Sequence, residues 1–277
     1  MLFPLTRIVI AAAFVLVPAI ALQALARALP IPKPVRMPVM ALVAIPTIYF
    51  ALRAYARVVE RRGLHELAPA GALRQLAGGL ALGAVLFAAV AGVLSALGAF
   101  KIAGGSPAAT VLPNLIAMAA LSSFSEEVLI RGIIFRISEE ALGSWLALLV
   151  SAALFGLGHI GNPHANLWSA AAIAIEAGIL LAAAYMVTKS LWLPIGLHAA
   201  WNFTEAGVFG AATSGNELPG LLRSTTHGPE WLSGGAFGAE ASVVAVAVCL
   251  MAGIALIVAA AHRGHVIPPP WRRGAHA

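Results

Sequence analysis

The sequence predicts an all-α polytopic transmembrane helix bundle, one membrane domain over residues 1–277 with about eight spans. Three observations carry this. The chain is 61% hydrophobic and only 10% charged, against about 25% charged for a soluble domain, so it has too few charges to cover a water-facing surface. Apolar runs of roughly 20 residues, the length a bilayer-crossing helix needs, recur along the chain. The basic residues fall mostly between these runs.

The first span is expected at 8–28. Arg7, an apolar run and then Ala24, Ala26 and Ala28 imitate a signal peptide. A stretch of about 20 apolar residues exceeds a usual signal core, so an uncleaved span is expected. Pro30, Pro32 and Pro34 stiffen the first connection, and the second span follows at 37–56. Residues 57–74 form a basic connection, and the third span covers 75–98. The fourth, fifth, sixth and seventh are expected at 111–136, 142–160, 166–187 and 191–210. Residues 211–239, rich in Gly, Ser and Thr, read as an external loop before the last span at 240–261. The tail from Val266, with Pro268, Pro269, Pro270 and Trp271, reads as irregular and surface-bound. Ala and Gly are frequent in the spans, and small residues let membrane helices approach closely.

The net charge of +6 reads as a topology marker rather than a nucleic-acid surface; the partner it implies is the lipid bilayer. Arg53, Arg57, Arg61, Arg62 and Arg74 flank the second connection, and Arg263, Arg272 and Arg273 follow the last span. By the positive-inside rule both segments are cytoplasmic, which places both termini in the cytoplasm. The high Ala, Gly and Arg content points to a bacterial cytoplasmic membrane. Cys249 is the only cysteine, so no intrachain disulfide forms.

Ionisable groups inside a span cost about 2.5–3.5 kcal/mol each on insertion scales. The first three spans have almost none. The second half holds Glu126, Glu127, Arg131, His159, Glu176, His198 and Asn202, which argues for one internal polar site. Residues four apart share a helix face: Glu127 with Arg131, Phe155 with His159, His198 with Asn202. Glu127 is expected to pair with Arg131. Glu126 points about 100° away and is free to face His159, His198 and Asn202. A lone carboxylate in a low-dielectric cavity has a raised pKa and suits general acid–base work.

Two imidazoles, a carboxylate and an amide suggest hydrolysis of a carbonyl. Glu126 would deprotonate water, a histidine would orient it or protonate the leaving amine, and the Asn202 amide would stabilise the oxyanion. A second version places zinc between His159, His198 and Glu126. The residues leave both open. No HExxH or serine-elbow motif is present, and the chain has no aspartate, which removes the aspartic dyad. Glu205, one turn past Asn202, reads as a solvated helix end, and His164 as solvated. Glu176 reads as a structural hydrogen-bonding group, and Glu139 with Glu140 as the surface end of the fourth span.

These residues fall into three motifs. Glu126-Glu127-Val128-Leu129-Ile130-Arg131 fits EExxxR, Phe155-Gly156-Leu157-Gly158-His159 fits FxxxH, and His198-Ala199-Ala200-Trp201-Asn202 fits HxxxN. In these the chain resembles the CPBP family, the CAAX-protease and bacteriocin-processing membrane enzymes also called Abi proteins. The resemblance covers roughly residues 110–210. It implies an intramembrane endopeptidase in which Glu126 activates water, Glu127 and Arg131 support the site, His159 and His198 line it, and Asn202 helps hold the oxyanion. On the expected boundaries His159 lies near the outer end of its span and His198 nearer the cytoplasmic end of its own. Tilt, a shifted boundary or a helix break near Gly156, Gly158 and Gly161-Asn162-Pro163 would bring them to one depth. The substrate would be a peptide or another membrane protein, prenylated or not. A different class of function, a non-proteolytic immunity or interaction factor or a proton-linked transporter, is the alternative. The sequence leaves the oligomeric state open.

Overall fold

The computed structural model describes residues 3–105 and 112–273. Position 111, where the fourth span was expected to open, and position 110, where the resemblance begins, lie outside the described residues. Among the described residues the protein is almost wholly helical, with one two-stranded sheet. Eight long helical stretches correspond in order to the eight expected spans. They are α1 (Pro4–Ala28), α2 (Lys33–Val58), α3 (Ala72–Ala96), α4 (Leu112–Glu127) running on into α5 (Arg136–Leu142), α6 (Ser144–Gly158), α7 (Leu167–Ile173) running on into α8 (Leu180–Thr188), α9 (Trp192–Asn202) and, after the short α10 (Glu230–Ser233), α11 (Val243–His262). A last short helix, α12, covers Pro270–Arg273. Five of the eight are long and apolar enough to cross a membrane; α6 is apolar but shorter.

The helices differ in how much of themselves they bury. Only 11% of the most apolar stretch of α1 is buried, against 72% for the α7–α8 helix. The α7–α8 helix is therefore the centre of the bundle, and α1 lies at its edge. The outer faces carry exposed Val17, Leu42, Val85, Leu149 and Met251, as a lipid-facing surface requires. Helix starts follow local chemistry. Asn166 caps α7 reciprocally with Ser169, and the Ser242 hydroxyl accepts the Ala245 N–H at the start of α11.

Small residues set one decisive packing. Gly79 and Gly83 of α3 lie against the backbone of Leu193 and Leu197 in α9, and Gly196 of α9 lies against Leu76 of α3; a Cβ at any of the three would collide with that backbone. This close approach fixes the helix that carries His198 and Asn202.

The two ends of the bundle are built differently. At one end an ion-pair network joins α1, α5 and the connection after α2. Arg7 and Arg136 both bind Glu60, Arg62 binds Glu60 and Glu66, and Arg7 and Arg136 also reach Glu140. Lys189 pairs with Glu139, Leu191 N–H donates to the Glu66 carbonyl, and Ser144 and Ile267 bond each other twice. Glu139 is therefore buried and paired, not the surface residue expected, because α6 folds straight back over it after Gly143 (φ 81°).

At the other end, β1 (Phe100–Gly105) pairs antiparallel with β2 (Leu222–Thr226). Trp168 Nε1 donates to the Ala241 carbonyl, and Gly215 lies against Pro163. The segment 211–239 was expected as an external loop; it holds a strand, a helical turn and buried residues such as Phe237. Its glycines at positive φ, Gly234 and Gly238 among them, permit the tight turns that fold it back onto the helices.

Candidate active site

Four helices carry the motif residues or their supports, and all but α6 depart from α geometry beside them. A π-helical stretch, Val128–Phe135, follows Glu127; another, Ala174–Ile179, lies in the central helix; a third, Phe203–Val208, follows Asn202. Such turns carry an extra residue and re-aim side chains and carbonyls, and they recur at functional sites.

Arg131 sits at the middle of the site and is fully buried. Its Nη1 donates to Glu127 Oε1 at 2.8 Å, and its Nη2 donates to the carbonyls of Ala177 and Gly178 at 3.1 and 3.0 Å, in the π stretch of the central helix. The guanidinium stacks on the Phe155 ring at 4.6 Å. Glu127 Oε1 also meets His198 Nδ1 at 3.0 Å. The expected Glu127–Arg131 pair thus exists and extends to a histidine, so EExxxR is tied to HxxxN. Phe155 ties in the third motif, with its ring 4.8 Å from that of His159 and 5.9 Å from that of His198.

The hydrogen bonds fix both tautomers. His198 Nδ1 faces a carboxylate, and His159 Nδ1 faces the Phe155 carbonyl at 2.8 Å. Neither partner donates, so each Nδ1 carries a proton, and each imidazole in its neutral form presents a lone pair at Nε2. Both Nε2 atoms lie 4.0 Å from Glu126 Oε2, which has no hydrogen-bond partner among the described residues. With both rings neutral, three acceptors converge with no donor among them. A water roughly 2.8 Å from each would bridge them and donate two protons. A tetrahedral zinc with bonds of about 2.0–2.2 Å needs ligand atoms roughly 3.3 Å apart. Separations of 4.0 Å are wider, and among the described residues no group of His, Cys and Glu has the geometry to hold a metal ion.

Asn202 lies one turn beyond His198, with Nδ2 3.5 Å from Ser122 Oγ. Asn202, His159 and His198 line a cavity of about 360 Å³, opening included, with Phe155, Trp201 and Leu197 among its apolar walls. Glu126 is not among the walls, and its side chain is 36% exposed. Its Oε2, the oxygen that faces the histidines, is nevertheless buried. His159 and His198 meet at one depth because α6 is short. It has 15 residues, about 22 Å, and ends at Gly158, so the histidine that follows stops within the bundle at the level of His198.

One wall of the cavity was not foreseen. Glu176 and Glu240 line it together with Ser214, and Glu205 lies buried close enough to both to repel them. Glu240 Oε1 accepts the Ser214 N–H, Glu176 neighbours Cys249, and Glu205 lies against Glu240 and Thr213. Glu205 is thus a buried group, not a solvated helix end, because the 211–239 segment folds over it. Glu240 had no assigned role. The one available signal was topological: Glu205 and Glu240 close the same connection, so they belong at one depth. His164 is exposed, as expected.

The fold and the site define a polytopic integral membrane protein with a polar centre suited to hydrolysis. Residues 108–204 match the family described as type II CAAX prenyl endopeptidase Rce1-like. That segment holds all three motifs, and the match agrees with the CPBP resemblance. No match was found to a curated protein or to a solved structure.

Proposed function

We propose that the protein is an intramembrane endopeptidase that hydrolyses a peptide bond with a water activated by Glu126. The observation that carries this is the convergence of Glu126 Oε2 with the two Nε2 atoms. A water held there is oriented by the histidines and loses a proton to Glu126 as it attacks the carbonyl carbon. The Asn202 amide, one turn from His198, donates to the oxyanion. His198, its ring braced by Glu127, keeps its Nε2 lone pair aimed at the water. Collapse breaks the C–N bond, and the proton held by Glu126 passes to the leaving amine. Glu127 and Arg131 act as positioning residues, since they touch His198 and Phe155 rather than the reacting atoms.

The test is cleavage of a quenched fluorescent peptide panel, prenylated and not, by detergent-purified protein. Glu126→Gln and His198→Ala should lose turnover by at least about 10²-fold while melting like the wild type. Turnover retained by both sinks the proposal. Full activity in chelator supports the water mechanism; inhibition reversed by zinc supports the metal version. A proton-linked transporter draws support from one feature, the three buried carboxylates beside the histidines. Proton flux into liposomes that vanishes in Glu126→Gln would favour it.

A further inference from the structure

We infer that the catalytic cavity opens to the extracytoplasmic side of the membrane, so the substrate is an exported polypeptide or the extracytoplasmic segment of a membrane protein, and not a cytoplasmic prenylated tail. This rests on the peptidase reading for the substrate, but its geometric part stands alone.

The walls of the cavity locate it at one end of the bundle. His159 is the first residue after α6, at the start of the connection 159–166. Ser214 and Glu240 come from the connection between α9 and α11. Both connections lie at the end that carries the β1–β2 pair, joined there by the Trp168–Ala241 bond and the Gly215–Pro163 contact. A larger cleft of about 1290 Å³, opening included, lies at the same end between β2 and residues 210–219, and Gly238 beside Glu240 forms part of its wall. A peptide reaching the histidines through the connections meets this end first.

The basic residues mark the opposite end. Arg7, Arg53, Arg57, Arg61, Arg62 and Arg74 lie there, as do Arg136, Lys189, Arg263, Arg272 and Arg273. The ion pairs of Glu60, Glu66 and Glu139 bind this end into one surface. The end with the cavity holds Arg27, Lys33, Arg36, Lys101 and Arg223. That is eleven against five, with Arg131 buried between them. The rule counts Lys and Arg near span ends and gives Glu little weight, so neutralisation by the glutamates does not weaken it. The basic end is cytoplasmic, and the cavity faces away from it.

The experiment labels single cysteines in intact cells with a membrane-impermeant maleimide, on a Cys249→Ser background. Lys101→Cys reports the end with the β1–β2 sheet, Ser214→Cys the cavity itself, and Arg57→Cys the basic end. The first two should label in intact cells and Arg57→Cys only after permeabilisation. Labelling of Arg57→Cys in intact cells, with the other two protected, overturns the inference whatever the protein cleaves. Should Ser214→Cys react under neither condition, the contrast between positions 101 and 57 still decides. For the substrate part, any peptide that the purified enzyme cleaves is fused to a single-span anchor on either side of the membrane. Cleavage is expected only of the extracytoplasmic fusion, and cleavage of only the cytoplasmic one overturns the assignment. A protein that cleaves no peptide fails the peptidase reading and leaves the labelling result intact.

Discussion

Replacing Arg131 with methionine tests the centre of the site. Arg131 and Glu127 are both fully buried and joined at 2.8 Å. The methionine keeps the apolar stem but removes the bond to Glu127, two bonds to backbone carbonyls and the stack on Phe155. Glu127 is left buried with His198 as its one remaining partner among the described residues. Breaking one side of a buried ion pair costs about 3–5 kcal/mol. Polar groups freed inside a membrane protein find other partners more readily than in water-soluble cores, so the lower end, about 3 kcal/mol, is expected. Glu127→Gln should cost a similar amount by stranding Arg131. The double variant removes both charges and should cost far less than the sum, with a coupling of at least about 2 kcal/mol. Unfolding in mixed micelles with increasing SDS measures all three. Turnover should stay low in the double variant even as stability returns, because His198 has lost its charged brace. Additive stability costs would refute the pairing, and a fully active double variant would refute its role in holding His198.

Other perturbations test other parts. Burial alone would raise the pKa of the Glu60 carboxyl, but the Arg136 guanidinium, with Arg7 and Arg62, outweighs it and holds it at about 2. A depressed carboxyl stabilises fully above its unfolded pKa, so this contribution, on the order of 2 kcal/mol once screening by nearby solvent is allowed for, should fade as pH falls from about 4.5 to about 2; in Glu60→Gln the acid limb of a pH–stability curve should flatten. Gly83→Leu places a side chain into the Leu197 backbone and should cost at least about 2 kcal/mol and most of the turnover. Val85→Leu, two residues on and on an exposed face, should do neither, as melting and cleavage assays of the two variants will tell. Glu205→Gln replaces one of three clustered buried carboxyls with a neutral group of the same shape, so thermal unfolding should show a melting temperature equal to or above wild type; a fall of several degrees would mean that the carboxyl is needed there.

Much of the site was legible because helix geometry is local. The four-residue spacings within EExxxR, FxxxH and HxxxN put each pair on one face without knowledge of the neighbours. Glu126 and Glu127 had to point apart, and the structure gives them different company: Arg131 and His198 for Glu127, the two Nε2 atoms for Glu126. Glu205 was misread because its burial depends on a segment further along the chain that has no helical period. Glu139 was misread for a related reason, since Gly143 turns the chain back so abruptly that a helix end is covered by the next helix.

The sequence by itself determined the solvent, the helical class, the order of the spans and which side chains share a face, because hydropathy and helical period are properties of short stretches. The tertiary structure alone decided that Glu127 reaches His198, that Glu176, Glu205 and Glu240 share one buried region, and that the cavity lies at the end away from most of the arginines. Those are relations between helices, set where Gly79, Gly83 and Gly196 let α3 and α9 touch and where the α9–α11 connection folds inward. No periodicity within one helix encodes the distance to another.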